Sequence, residues 1–174
     1  MAQAAPLDGG VASLNFTNQT NTALLIATSG ASPLLGADFG QIITADFTIS
    51  GADASDFTFY GAGGLLGSGS ATARLFLQTT NAGGFAYTNY WWADVAFVNL
   101  GNGLFHLTAK IAPDALQWSD WNGQSAFDNA GAFTAAANNI TGIGLSFGGG
   151  YFFENGVGTS NGSGTLALTN FSLS

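Results

Sequence analysis

Cysteine is absent from the chain, and with it go disulfide frameworks, thiolate metal sites and thiol nucleophiles. A chain of 174 residues can fold without such staples, so export remains open to it. Basic side chains are nearly missing as well: Arg74 and Lys110 stand against ten acidic residues, giving a formal net charge of −8. Releasing counterions from phosphates needs several cations, so neither nucleic acid nor an anionic lipid surface is an expected partner. Charged residues make up 7% of the chain, against roughly 25% in an ordinary domain. No apolar run approaches the roughly 18 residues of a membrane span, and membrane insertion is not expected. With one histidine, transition-metal binding is not expected either.

Hydrophobic residues make up 47% of the chain, enough for one substantial core. Gly, Ser, Thr, Asn and Gln replace the missing charge, so the surface would offer little electrostatic resistance to self-association. Ala2-Gln-Ala4 before Ala5-Pro6 reads like the small-residue end of a secretory cleavage site. Residues 1–10 are therefore read as a leader or remnant of an export signal, and 11–174 as a single domain of a secreted or cell-surface protein. An ordinary Ala-rich leader is the plainer alternative. Asn-x-Ser/Thr triplets start at Asn15, Asn18, Asn139, Asn161 and Asn170, and matter only on a eukaryotic secretory route.

The dominant period is two. Ile43, Ala45, Phe47 and Ile49 alternate with Thr44, Asp46, Thr48 and Ser50; Phe105, Leu107, Ala109 and Ile111 alternate with Leu104, His106, Thr108 and Lys110. A third alternation runs through Ala73, Leu75 and Leu77, and further strands are predicted near 11–17, 23–28, 55–60, 89–99, 140–147 and 164–173. Gly-Gly, Gly-Asn-Gly and Asn-Gly turns punctuate them. The pattern predicts an all-β, antiparallel two-sheet sandwich of jelly-roll type. In the last strand Leu166 and Leu168 share a parity with Asn170 while Phe171 and Leu173 take the other, which predicts a bulge near Thr169-Asn170. Asp128 is placed to cap one short helix through Ala130, Phe133 and Ala137, ended by Asn138-Asn139. The stretches 61–69 and 148–164 read as loops.

From "FHLTAKI" through "LQWSDWNGQSAFDNAGAF" to "LALTNFSLS" the chain resembles the end of secreted bacterial laminin-G-like or galactose-binding-like jelly-roll modules. The matching elements are Trp118 entering a loop, a short helix with Phe133, the strand Ile140–Phe147 and a closing Asn170-Phe171-Ser172-Leu173. Modules of this kind recur in carbohydrate-binding modules of glycanases and in PEP-CTERM-associated surface proteins. The resemblance implies a jelly roll and a glycan partner. It covers about the last 70 residues well and the remainder only in strand rhythm, an analogy of fold. Related modules often close with Asp where this chain has Asn170, which weakens the structural calcium site that the resemblance suggests.

Few residues are equipped for catalysis. Asp53 and Asp56 share a turn, where Asp ordinarily caps backbone groups, and Asp114 and Asp120 flank the Trp118 loop in the same way. Gly67-Ser-Gly-Ser-Ala71 lacks the strand-to-helix setting of a nucleophile elbow. His106 falls on the polar side of its strand. No catalytic residue and no cofactor are assigned. Calcium takes oxygen ligands, and Asp8 with Asn170 can supply two if both chain ends meet at one sandwich edge.

Phe85–Phe97 is aromatic on both of its alternating sets. Phe85, Tyr87, Trp91, Ala93, Val95 and Phe97 read as core, and Thr88, Tyr90, Trp92, Asp94 and Ala96 as the opposite face. Flat rings stack on the apolar face of a sugar, while carboxylate, guanidinium and amide groups bind its hydroxyls. The expected ligand-binding set is Tyr90, Trp92 and Asp94, with Arg74, Gln78 and His106 from neighbouring strands and Trp121 from the loop near Asn122-Gly123. The plainer alternative covers Tyr90 and Trp92 and leaves Arg74 and Asp94 to neutralise each other. Non-catalytic binding of a polysaccharide, self-association as a matrix protein, and enzymatic activity are the three classes weighed, with the first preferred.

Overall fold

The structure, a computed structural model, describes residues 2–6, 12–17, 24–28, 40–59, 71–79, 86–113, 117–149 and 156–174. In chain order the strands are β1 (Ala2–Pro6), β2 (Ala12–Thr17), β3 (Leu24–Thr28), β4 (Ile42–Ser50), β5 (Phe57–Phe59) and β6 (Thr72–Thr79). They continue with β7 (Tyr90–Asn99), β8 (Gly103–Lys110), β9 (Trp118–Asp120), β10 (Ile140–Gly148), β11 (Val157–Thr159) and β12 (Ser163–Leu173). One helix, α1 (Ala130–Ala137), lies between β9 and β10.

One sheet has the order β1-β3-β10-β6-β7-β9 and the other β2-β12-β4-β8; β5 and β11 form a small ribbon. Among the described residues pairing is antiparallel except for β1, which runs parallel to β3. This is the predicted all-β sandwich, with successive strands repeatedly crossing between layers. Ala2–Pro6, expected as part of a leader, adds a strand to the six-stranded sheet, and Trp118 enters β9 where a loop was expected.

Alternation builds the core. Ile43, Ala45, Phe47 and Ile49 of β4 are buried, as are Leu107 and Ala109 of β8, against Leu75, Leu77, Leu145 and Phe147 of the other sheet. Phe16 bridges the layers, meeting Phe57 and Phe147 edge-on at 5.4 Å each. Phe133 of α1 stands edge-on to Trp91 at 5.0 Å and closes one end of the core. The helix begins one residue later than a capping Asp128 requires: Asn129 holds the cap position without a side-chain bond, and Asp128 accepts instead from Ser125 Oγ at 2.8 Å.

Two bulges decide which side chains face where. In β12 the register slips between Leu168 and Asn170, as predicted, so Thr169 is extra and Phe171 returns to the core. In β7 the slip is larger. Arg74 pairs with Phe97 and Phe76 with Trp92, so Leu75 alone faces the whole of 93–96. An odd slip exchanges the faces of a strand. Trp91 and Ala93 point inward before it and Ala96 after it, while Val95 and Phe97 emerge at 60% and 53% exposure. The expected core row through Val95 and Phe97 is thereby corrected.

Candidate functional site

The pairing register gathers most of the expected ligand residues on the outer face of the six-stranded sheet. Gln78 lies opposite Tyr90, Phe76 opposite Trp92, and Trp92 opposite Ser119 on β9. The Tyr90 and Trp92 rings stack 6.3 Å apart at 18°, and Trp121 tilts against both, 5.2 Å from each. A tight turn holds Trp121 there. The Asp120 carboxylate accepts from the backbone N–H of Asn122 and Gln124, both at 2.9 Å, and Gly123 takes a φ of +78° that favours glycine.

Beside the rings lies an ion pair. Arg74 Nη1 donates to Asp94 Oδ1 at 3.3 Å, and Ser119 Oγ donates to the same oxygen at 2.9 Å. The guanidinium side chain is 5% exposed and the carboxylate 33%. Burial raises the Asp94 pKa above the ordinary carboxylate value, against the opposing effects of the Ser119 bond and the Arg74 charge. Gln78 lies against Gly142, where an added Cβ would stand 3.0 Å from its Cγ. At the helix end of the sandwich a neutral groove of about 250 Å³ is lined by Thr79, Thr88, Asn89 and Asn139 with alanine methyls of α1.

Trp92 itself is not an open platform. It is 1% exposed, its indole N–H donates to Ser146 Oγ at 2.9 Å, and Phe76, Arg74 and Ser146 on the same face are buried with it. The centre of this sheet buries both faces, so Trp92 acts as a support. Tyr90 and Trp121 keep partial exposure.

His106 belongs to neither this face nor this sheet. It projects from the outer face of the four-stranded sheet, where its Nδ1 meets Asp46 Oδ1 at 2.6 Å. Asn170 Nδ2 donates to the other Asp46 oxygen at 2.9 Å. These bonds, Asn170 first, hold the Asp46 pKa below its ordinary value. As for the calcium pairing of Asp8 with Asn170, β2 lies beside β12 with Ala12 opposite Leu168, on the same four-stranded sheet that carries Asn170. Asp8 lies outside the described residues, and Asn170 spends its amide on Asp46. Among the described residues no three His, Cys, Asp or Glu side chains group as metal ligands.

The turn aspartates have structural bonds: Asp53 N–H donates to Asp56 Oδ2 at 2.9 Å, and Asn102 Nδ2 donates to Asp53 Oδ1 at 2.7 Å. Ser119 and Ser146, which complete the aromatic site, carried no signal beyond their alternation on otherwise apolar strands. Comparison of the chain with protein-family models, curated proteins and solved structures finds no match.

Proposed function

We propose that this chain is a non-catalytic, extracellular carbohydrate-binding module that takes a polysaccharide or cell-surface glycan at Tyr90 and Trp121. One observation carries the reading: two partly exposed rings 5.2 Å apart rest on a buried third ring, beside a carboxylate that remains a third open. Sugar faces stack on such rings, and Asp94 and Gln78 accept or donate to hydroxyls. Trp92, Arg74 and Ser146 stiffen the platform from beneath. A rigid support lowers the cost of ordering the contact side chains on binding.

Because Trp92 and Trp121 are 5.2 Å apart, a sugar stacked on Trp121 perturbs the emission of the pair. Titration with soluble polysaccharides should shift or quench tryptophan fluorescence in the wild type, and Trp121→Ala should lose the saturable component. Unchanged emission with every polysaccharide tried would set the reading aside.

Self-association as a structural or surface protein is the second reading. It is favoured by the exposed Val95 and Phe97 on β7 and by Leu104 on β8, which is 85% exposed. Concentration-dependent assembly that ignores sugars would support it over the first.

A further inference from the structure

Among the described residues β8 pairs with β4 alone, so one of its edges is open. The direction of its backbone groups follows from its end. Ile111 bonds back toward β4, its N–H to the Gln41 carbonyl at 2.8 Å and its carbonyl from Gly40 N–H at 2.9 Å. Lys110 points the other way, and its carbonyl accepts from Trp118 Nε1 at 2.7 Å. Backbone direction alternates along a strand, so the N–H and C=O of Leu104, His106 and Thr108 all face the open edge. Their side chains are exposed, and the Leu104 side chain adds apolar surface.

We propose that a second copy of this chain docks on that edge, β8 against β8 in antiparallel register about a two-fold axis at His106. This deepens the self-association reading by making it a closed pair. Centring on His106 is the register that satisfies all three open residues: Leu104 meets Thr108 of the second copy, His106 meets its own counterpart, and about six main-chain hydrogen bonds form. The same register sets Lys110, a rare cation in this chain, opposite Asn102 of the second copy. There Asn102 holds the Asp53 carboxylate at 2.7 Å, so the ends of the interface match in charge, while its middle sets the two His106–Asp46 pairs side by side. Trp118, by occupying the Lys110 carbonyl, limits the pairing to these three residues.

The absence of cysteine makes the register directly testable. Directly opposed residues in such a pair lie about 5.5 Å apart at Cα, within disulfide reach. Under mild oxidation, His106→Cys should form a disulfide-linked dimer, whereas Thr108→Cys, facing Leu104, should not. In sedimentation, Thr108→Pro removes an outward N–H that the β4 ladder does not use, and Leu104→Lys sets a charge on the open edge. Each should weaken the dimer by roughly tenfold or more while the circular dichroism spectrum stays unchanged. A dimer indifferent to both substitutions would overturn the β8 assignment and leave self-association standing. A strictly monomeric chain at high concentration would overturn both.

Discussion

Trp92 is buried by the sheet that was expected to display it, and this changes what its substitution does. Trp92→Ala should cost about 3–5 kcal/mol, because it opens a large cavity and strands the Ser146 hydroxyl. Trp121→Ala, at a partly exposed ring, should cost about 1 kcal/mol or less. Chemical denaturation of the two variants checks the contrast. The two shifted aspartates also act with opposite signs. Asp46, with its pKa held below 3.8, favours the fold above that value, and the contribution is lost as the pH falls through its folded pKa. Asp94, with its pKa raised above 3.8, opposes the fold at neutral pH, and protonation relieves that cost as the pH falls toward 3.8. Melting curves from neutral pH to pH 3 should show a shallower acid loss in Asp46→Asn. In Asp94→Asn the stability gained between neutral pH and about 4 should disappear.

At the scale of elements, strand positions were legible because alternation reports directly on which residues need a dry side. The β12 bulge was legible too, since Phe171 breaks parity with Leu168 in plain view. The β7 slip was hidden: Val95 and Phe97 are apolar, so nothing in the sequence contradicts an inward reading, and only pairing with β6 reveals the exchange. Alternation likewise names a polar side without saying which sheet owns it, which is why His106 was grouped with Arg74 and Gln78. It says nothing of what covers a side, which is why a buried Trp92 stood only as the alternative to a sugar-facing one. The turn after β4 supplies a test of local geometry. Gly51 has a φ of +89°, and a Cβ there would stand 2.9 Å from the Ser163 carbonyl oxygen. Gly51→Ala should therefore destabilise the four-stranded sheet by about 1–2 kcal/mol, read from the shift in denaturation midpoint at unchanged slope.

For the whole molecule, the shortage of charge has two consequences. Two basic residues can supply few phosphate contacts, and the β8 edge carries little charge beyond the His106–Asp46 pair. A six-stranded sheet buried on both faces at its centre gives the aromatic rim a stiff base. The most direct test is electrophoresis of wild type and Trp121→Ala through gels cast with soluble polysaccharides, with melting temperatures measured alongside. Retention of the wild type by at least one polysaccharide, lost in the variant at nearly equal melting temperature, is the expected result. Equal retention of both proteins would contradict the site, and no retention of either would contradict the glycan-binding reading itself.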